Sequence, residues 1–142
     1  MAPGLLLWAR RLTRQERRLL SAAWLTLAVA PLALALVPFR RLRGWAEGGT
    51  TSRRRADTAT PERVAALVEA AARHHLYPMR CLPQALCLRW LLGRLGIAAE
   101  LRIGVERRRG DLRAHAWVER DGRPVGEDFR VADRFAPLRP VS

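Results

Sequence analysis

The stretch 80–96, RCLPQALCLRWLLGRLG, decides how this chain is read. Pro83 suits the first turn of a helix, where its missing N–H is no loss, and Gly96 supplies a left-handed stop. Between them Leu82, Ala85, Leu86, Leu88, Leu91, Leu92 and Leu95 fall on more than one face. A helix apolar on several faces is buried among other elements, so a central helix is expected from about Leu82 to Leu95. Cys81 stands at its start, where the positive end of the helix dipole and free backbone N–H groups favour a thiolate. Cys87, mid-helix between Leu86 and Leu88, reads as inert core.

Upstream, Thr60-Pro61-Glu62 marks a second helix start: a hydroxyl cap, a proline at the first position and an acid in the first turn. Val64, Leu67, Val68, Ala71 and His75 give that helix one apolar face. His74 and His75 close it, where a cation is favourable. Downstream of Gly96 the period changes. Residues 98–105 read as a strand, 107–111 as a turn and 112–120 as a second strand. Asp121-Gly122 is a hairpin signal, and 123–128 follows as a third strand. Helix, helix and then three antiparallel strands make an α+β domain.

His115 falls mid-strand in Ala114-His115-Ala116-Trp117-Val118-Glu119, and Glu127 and Asp128 end the next strand. A thiol nucleophile, an imidazole base and a carboxylate that orients the imidazole is the logic of a Cys-His-acid triad. The hairpin register decides which acid serves. A two-residue turn at Asp121-Gly122 sets Asp128 opposite His115, whereas a three-residue loop over Arg120-Asp121-Gly122 sets Glu127 there. Arg120 and Asp121 suit a type I turn followed by Gly122 in the left-handed region, which favours Glu127. Trp90 and Trp117 read as core or pocket-wall aromatics.

Toward the N-terminus, Thr13-Arg14-Gln15-Glu16 has the form of a capping box. The run 19–39, LLSAAWLTLAVAPLALALVPF, then carries no charge, with arginines on both sides. It is long enough to cross a bilayer, although Pro31 removes a helical hydrogen bond and is expected to kink or end the helix. Three readings stay open: a membrane helix, a kinked helix buried on the domain or a partner, and a signal sequence for which Ala33-Leu34-Ala35 is a poor cleavage site. Residues 44–60 lose apolar periodicity and read as a linker, with Arg53-Arg54-Arg55 as a solvated turn. The chain thus divides into an apolar helical segment, 1–43, buried or membrane-associated, then the linker 44–60 and a domain over 61–142.

All 26 basic residues of the 142 are arginine, against 13 acids, for a net charge of +13. Lys and Asn are both absent, which reflects GC-rich coding rather than a binding requirement. The 49% of apolar residues excludes a disordered polyelectrolyte. Two cysteines six residues apart and three histidines make no zinc pattern and no disulfide framework. With three Phe and one Tyr the stacking platform of a nucleic-acid binder is thin, so no nucleic-acid partner is expected. The surplus arginines instead flank the apolar run and lie in the linker and in the 107–109 turn, positions suited to a membrane surface, a protein partner or an acidic peptide.

Beyond these local readings, Arg80-Cys81-Leu82-Pro83-Gln84-Ala85-Leu86, Leu91-Leu92, Gly96-Ile97 and Leu101-Arg102-Ile103-Gly104-Val105 belong to a larger pattern. With His115-Ala116-Trp117-Val118-Glu119, Asp121-Gly122 and Val125-Gly126-Glu127 they resemble the transglutaminase-like cysteine peptidases of lasso peptide biosynthesis, the stand-alone leader peptidases usually called B2 proteins. The likeness runs from about Pro61 to Leu138. Leu36-Val37-Pro38-Phe39-Arg40-Arg41-Leu42 also resembles the apolar N-terminal segment of such proteins.

The resemblance implies a papain-like core in which Cys81 attacks a peptide bond of a ribosomally made precursor with His115 as base. The family generally has Asp as third member at about the place of Glu127, so Glu is a departure that keeps Asp128 in contention. It further implies a leader-recognition B1 protein, an ATP-dependent macrolactam cyclase acting next, a bacterial cytoplasmic setting at the inner face of the membrane, and no cofactor. A catalytically silent scaffold binding the same partners is the alternative.

Overall fold

The computed structural model describes residues 7–8, 10–47, 60–75, 80–127 and 135–137. Its helices are α1 (Arg14–Leu36), α2 (Phe39–Glu47), α3 (Pro61–Arg73) and α4 (Cys81–Arg94). Its strands are β1 (Glu100–Arg108), β2 (Asp111–Arg120), β3 (Arg123–Pro124) and β4 (Ala136–Pro137), forming one antiparallel sheet in the order β3-β2-β1-β4. The α+β expectation holds, with a central helix that begins on its cysteine.

The apolar pattern of α4 has the consequence its sequence foretold. Pro83, Ala85 to Arg89 and Leu91 to Gly93 are all buried, on every side of the helix. Leu67, Val64 and Val68 of α3 pack on it from one side, and Leu101, Ala116, Val118 and Val125 of the sheet from another, in one continuous core. Fully burying each large aliphatic chain stabilises the fold by about 1.5–3 kcal/mol.

The N-terminal helix belongs to that same core. Leu19, Ala23 and Leu27 recur at four-residue intervals, are 8%, 0% and 0% exposed, and pack with α3 and α4. Pro31 does not end the helix: α1 runs on to Leu36, where the Val37 N–H closes it on the Ala33 carbonyl. Beyond the proline Leu34 still packs against the core, and that contact offsets the one backbone bond that proline removes. Two polar contacts fasten α1 to α3. The His75 ring stacks on Trp24 at 4.6 Å, and its Nε2–H donates to the Trp24 carbonyl at 3.1 Å. At the other end the capping box forms as expected, and its Glu16 also pairs with Arg63 Nε at 2.7 Å. Helix α2 takes in the first four residues of the expected linker, through Glu47; 48–59 lie outside the described residues.

In the sheet, β1 and β2 run longer than expected because Arg109 and Gly110, both at positive φ (54° and 86°), make a two-residue turn that pairs Arg108 with Asp111. Strand β4, unforeseen in the sequence, pairs with β1 through Gly104 and Val105.

The Arg63 guanidinium and the Thr13 N–H hold the Glu16 carboxyl below its usual value of 4.5. A depressed folded-state value means that Glu16 contributes stability above about pH 4.5, lost as pH falls through the folded value. Glu16→Gln keeps the capping geometry but removes the charge. It should lower stability at pH 7 by about 0.5–1 kcal/mol, and the difference from wild type should vanish in urea titrations carried out at progressively lower pH.

Candidate active site

Cys81 is the first residue of α4, half-buried, with its backbone among the unpaired N–H groups of the helix start. Nothing in the first turn offsets the dipole there, because that turn carries no acidic residue. Six residues on, Cys87 has the opposite environment. Its side chain is 1% exposed, its thiol lies 3.8 Å from the Ala23 carbonyl, and burial pushes the thiol up to about 12. One helix therefore carries one thiol at a polar, partly open end and one sealed in the core.

His115 sits in β2 opposite Gly104 of β1. Its Nε2–H donates to the Glu127 carboxylate, whose two oxygens lie at 2.9 and 2.8 Å. With Nε2 so engaged, Nδ1 is the ring nitrogen left to exchange a proton with another group. Cys81, His115 and Glu127 line one cavity of about 330 Å³, together with Gln84, Trp117 and Glu69. Consecutive residues 115–118 of β2 and 125–127 contribute to its wall. Glu69 of α3 and Cys81, Gln84 and Leu88 of α4 supply the facing wall, so the cavity lies between the two helices and β2.

The route by which Glu127 reaches His115 corrects the expected register. Asp121 and Gly122 have φ of 51° and 76°, a two-residue primed turn, and the pairs are Arg120↔Arg123 and Glu119↔Pro124. The three-residue loop expected from the sequence does not form, since Asp accepts positive φ readily. The Val125 N–H extends the same register by bonding the Val118 carbonyl at 2.8 Å. Continued, that ladder would bring residue 128 opposite His115, but the third strand stops short of its expected end. Gly126, at φ 73°, turns the chain out of the sheet, and Glu127 meets the imidazole from outside the ladder. Asp128 lies outside the described residues. A Cβ on Gly126 would stand 2.5 Å from the Ala65 Cβ, so glycine is required there twice over, by backbone and by space.

The chain belongs to the transglutaminase-like superfamily. The superfamily's profile matches residues 23–140, which takes in most of α1 and everything that follows it in the core. No curated protein and no solved structure matches the chain. Members of this superfamily commonly carry cysteine peptidase-like or transferase chemistry, and in this chain a helix-start thiol shares a cavity with a carboxylate-bound imidazole.

Two aromatic side chains complete the surroundings of His115, the pocket-wall Trp117 and the unforeseen Phe135. Trp117, two residues along the same face of β2, stacks on its ring at 5.9 Å with 17° between planes, and Phe135 tilts against it at 5.1 Å. The buried Trp117 N–H donates to Glu119 at 2.9 Å, and Glu119 also pairs with Arg102 at 3.3 Å. That link was legible: a buried indole N–H needs a partner, and the period of a strand puts Glu119 beside it. Phe135 gave no such signal, because it comes from a segment far along the chain. Gly104 makes room for both side chains, since a Cβ there would lie 2.7 Å from the Phe135 Cβ and 2.9 Å from the Trp117 ring.

Two outcomes test this geometry. Gly126→Ala should destabilise the domain by about 2–4 kcal/mol, from backbone strain plus overpacking. Gly122→Ala, which meets nothing within 4 Å, should cost only about 1–2 kcal/mol, both read from denaturant unfolding. In mass spectra after iodoacetamide treatment of the folded protein at neutral pH, Cys81 should be modified while Cys87 reacts only once the chain is unfolded.

Proposed function

We propose that this transglutaminase-like protein is a cysteine peptidase of the bacterial cytoplasm that removes the leader from a ribosomally synthesised lasso peptide precursor. The observation that carries the reading is the bidentate hold of Glu127 on His115 Nε2 in the cavity that Cys81 also lines. That arrangement leaves Nδ1 to take the thiol proton, and the resemblance of residues 61–138 to leader peptidases narrows the substrate class.

In this mechanism the Cys81 thiolate attacks the carbonyl carbon of the leader–core bond. Backbone N–H groups at the start of α4 receive the developing oxyanion, a contribution worth about 10²–10³ in rate per donor. Protonated His115 gives its proton to the departing core amine as the C–N bond breaks, leaving the leader as a thioester on Cys81. His115 then takes a proton from water, hydroxide attacks the thioester, and leader carboxylate and free thiol are released. Glu127 keeps the imidazole in the tautomer with hydrogen on Nε2 and offsets its charge while it is protonated. A separate ATP-dependent cyclase uses the freed core amine, and a leader-recognition partner delivers the precursor.

Precursor incubated with the protein, with and without the recognition partner, should lose its leader as read by mass. Cys81→Ala should reduce cleavage by about 10⁴-fold or more, and Glu127→Gln should slow it while leaving KM near that of wild type. Cys87→Ala should still cleave. Continued cleavage by both cysteine variants would sink the proposal.

A further inference from the structure

The outward stripe of α1 changes character halfway along. Arg14, Arg17, Arg18 and Ser21 are exposed in its first half, as expected of a helix face in water. From there the same face carries Leu25, Val29, Leu32 and Leu36, which are 61%, 60%, 61% and 74% exposed. The core does not account for these residues, because Leu19, Ala23 and Leu27 on the opposite face make the contacts with α3 and α4. The stripe is continuous with an apolar cavity of about 450 Å³ among α1, α2 and α4, walled by Leu25, Val29, Leu34, Leu42, Leu86 and Trp90. Cations border it. Arg40 and Arg41 are exposed on α2 beside half-buried Phe39 and Leu42, and the Arg94 guanidinium lies 5.1 Å from the Trp90 ring centroid.

We propose that this surface docks the protein on an anionic lipid bilayer, with the second half of α1 and the start of α2 entering one leaflet. Charge complementarity selects the occupant: an apolar stripe bordered by arginine and tryptophan matches acyl chains below and anionic headgroups above. Length decides between docking and spanning. By composition and length α1 passes as a membrane span, but Leu25 to Leu36 extends only about 16 Å along the helix, about half of a bilayer's hydrocarbon core. The face bearing Leu19, Ala23 and Leu27 is already covered by protein, and withdrawing it would open the core. The helix therefore lies against the membrane and does not cross it. This docking stands independently of the peptidase reading.

The test is flotation of the full chain with vesicles of phosphatidylcholine alone or with about one third phosphatidylglycerol, a lipid that supplies the negative surface. The protein should float with the anionic vesicles and be released by alkaline carbonate. Arg40→Gln with Arg41→Gln should weaken anionic-vesicle binding about thirtyfold. Leu32→Gln with Leu36→Gln should weaken it about tenfold or more, with unchanged circular dichroism because both side chains face outward. Three results would overturn the proposal. One is recovery of the wild-type chain below the vesicles. Another is binding that resists carbonate, which would mark a spanning helix. The last is a stable dimer broken by the leucine pair without vesicle binding, which would assign the stripe to a second copy.

Discussion

Burial of α4 on all sides is the constraint from which the other elements take their places. A helix with Leu86, Leu88, Leu91 and Leu92 spread round its circumference has no face to offer water. Helices α1 and α3 and the sheet must cover it, each contributing one apolar side. Its ends, and the side on which Trp90 walls the apolar cavity, are the parts that escape that enclosure. The N-terminal end is where the backbone presents unpaired donors, so the geometry that buries the helix also leaves Cys81 at the rim of a cavity. The difference between Cys81 and Cys87 follows from position alone, with one thiol at the open end and the other in the middle.

The imidazole is held by a different kind of constraint. Hydrogen bonding fixes Nε2, and packing fixes the ring plane, through Trp117 on one side and Phe135 on another. The Trp117 ring and the Phe135 Cβ both depend on the missing side chain of Gly104, as the approach of Glu127 depends on that of Gly126. Two absent side chains thus define the setting of one histidine. Glu119 extends the network by satisfying the Trp117 N–H and Arg102 together, which keeps the aromatic wall from turning.

Much of this was legible in local pattern. The capping box at Thr13, the Thr60-Pro61 helix start and the Pro83-to-Gly96 helix each rest on interactions within a few residues, and each appears where its chemistry placed it. The strands of the β1–β2 hairpin were legible too, though the turn expected over 107–111 is tighter, because Arg109 adopts a conformation unusual for a side chain that long. Failures arose where neighbours far along the chain compete with local preference. Pro31 predicts a break only if nothing beyond it holds the helix, and Leu34, one turn past the proline, packs against the core. The register of Asp121-Gly122 turns on a small difference between two loop geometries, too fine for propensity to settle.

Local pattern is enough for the α+β order, the buried central helix and the contrast between its two cysteines, because helix periodicity, capping and the helix dipole are properties of short segments. Long-range packing is what brings α1 into the core along one face, lets Gly126 lift the chain off the sheet so that Glu127 reaches His115, and returns Phe135 to that imidazole. Those outcomes depend on the shape of surfaces that form when distant segments meet, and on whether a Cβ has room between them.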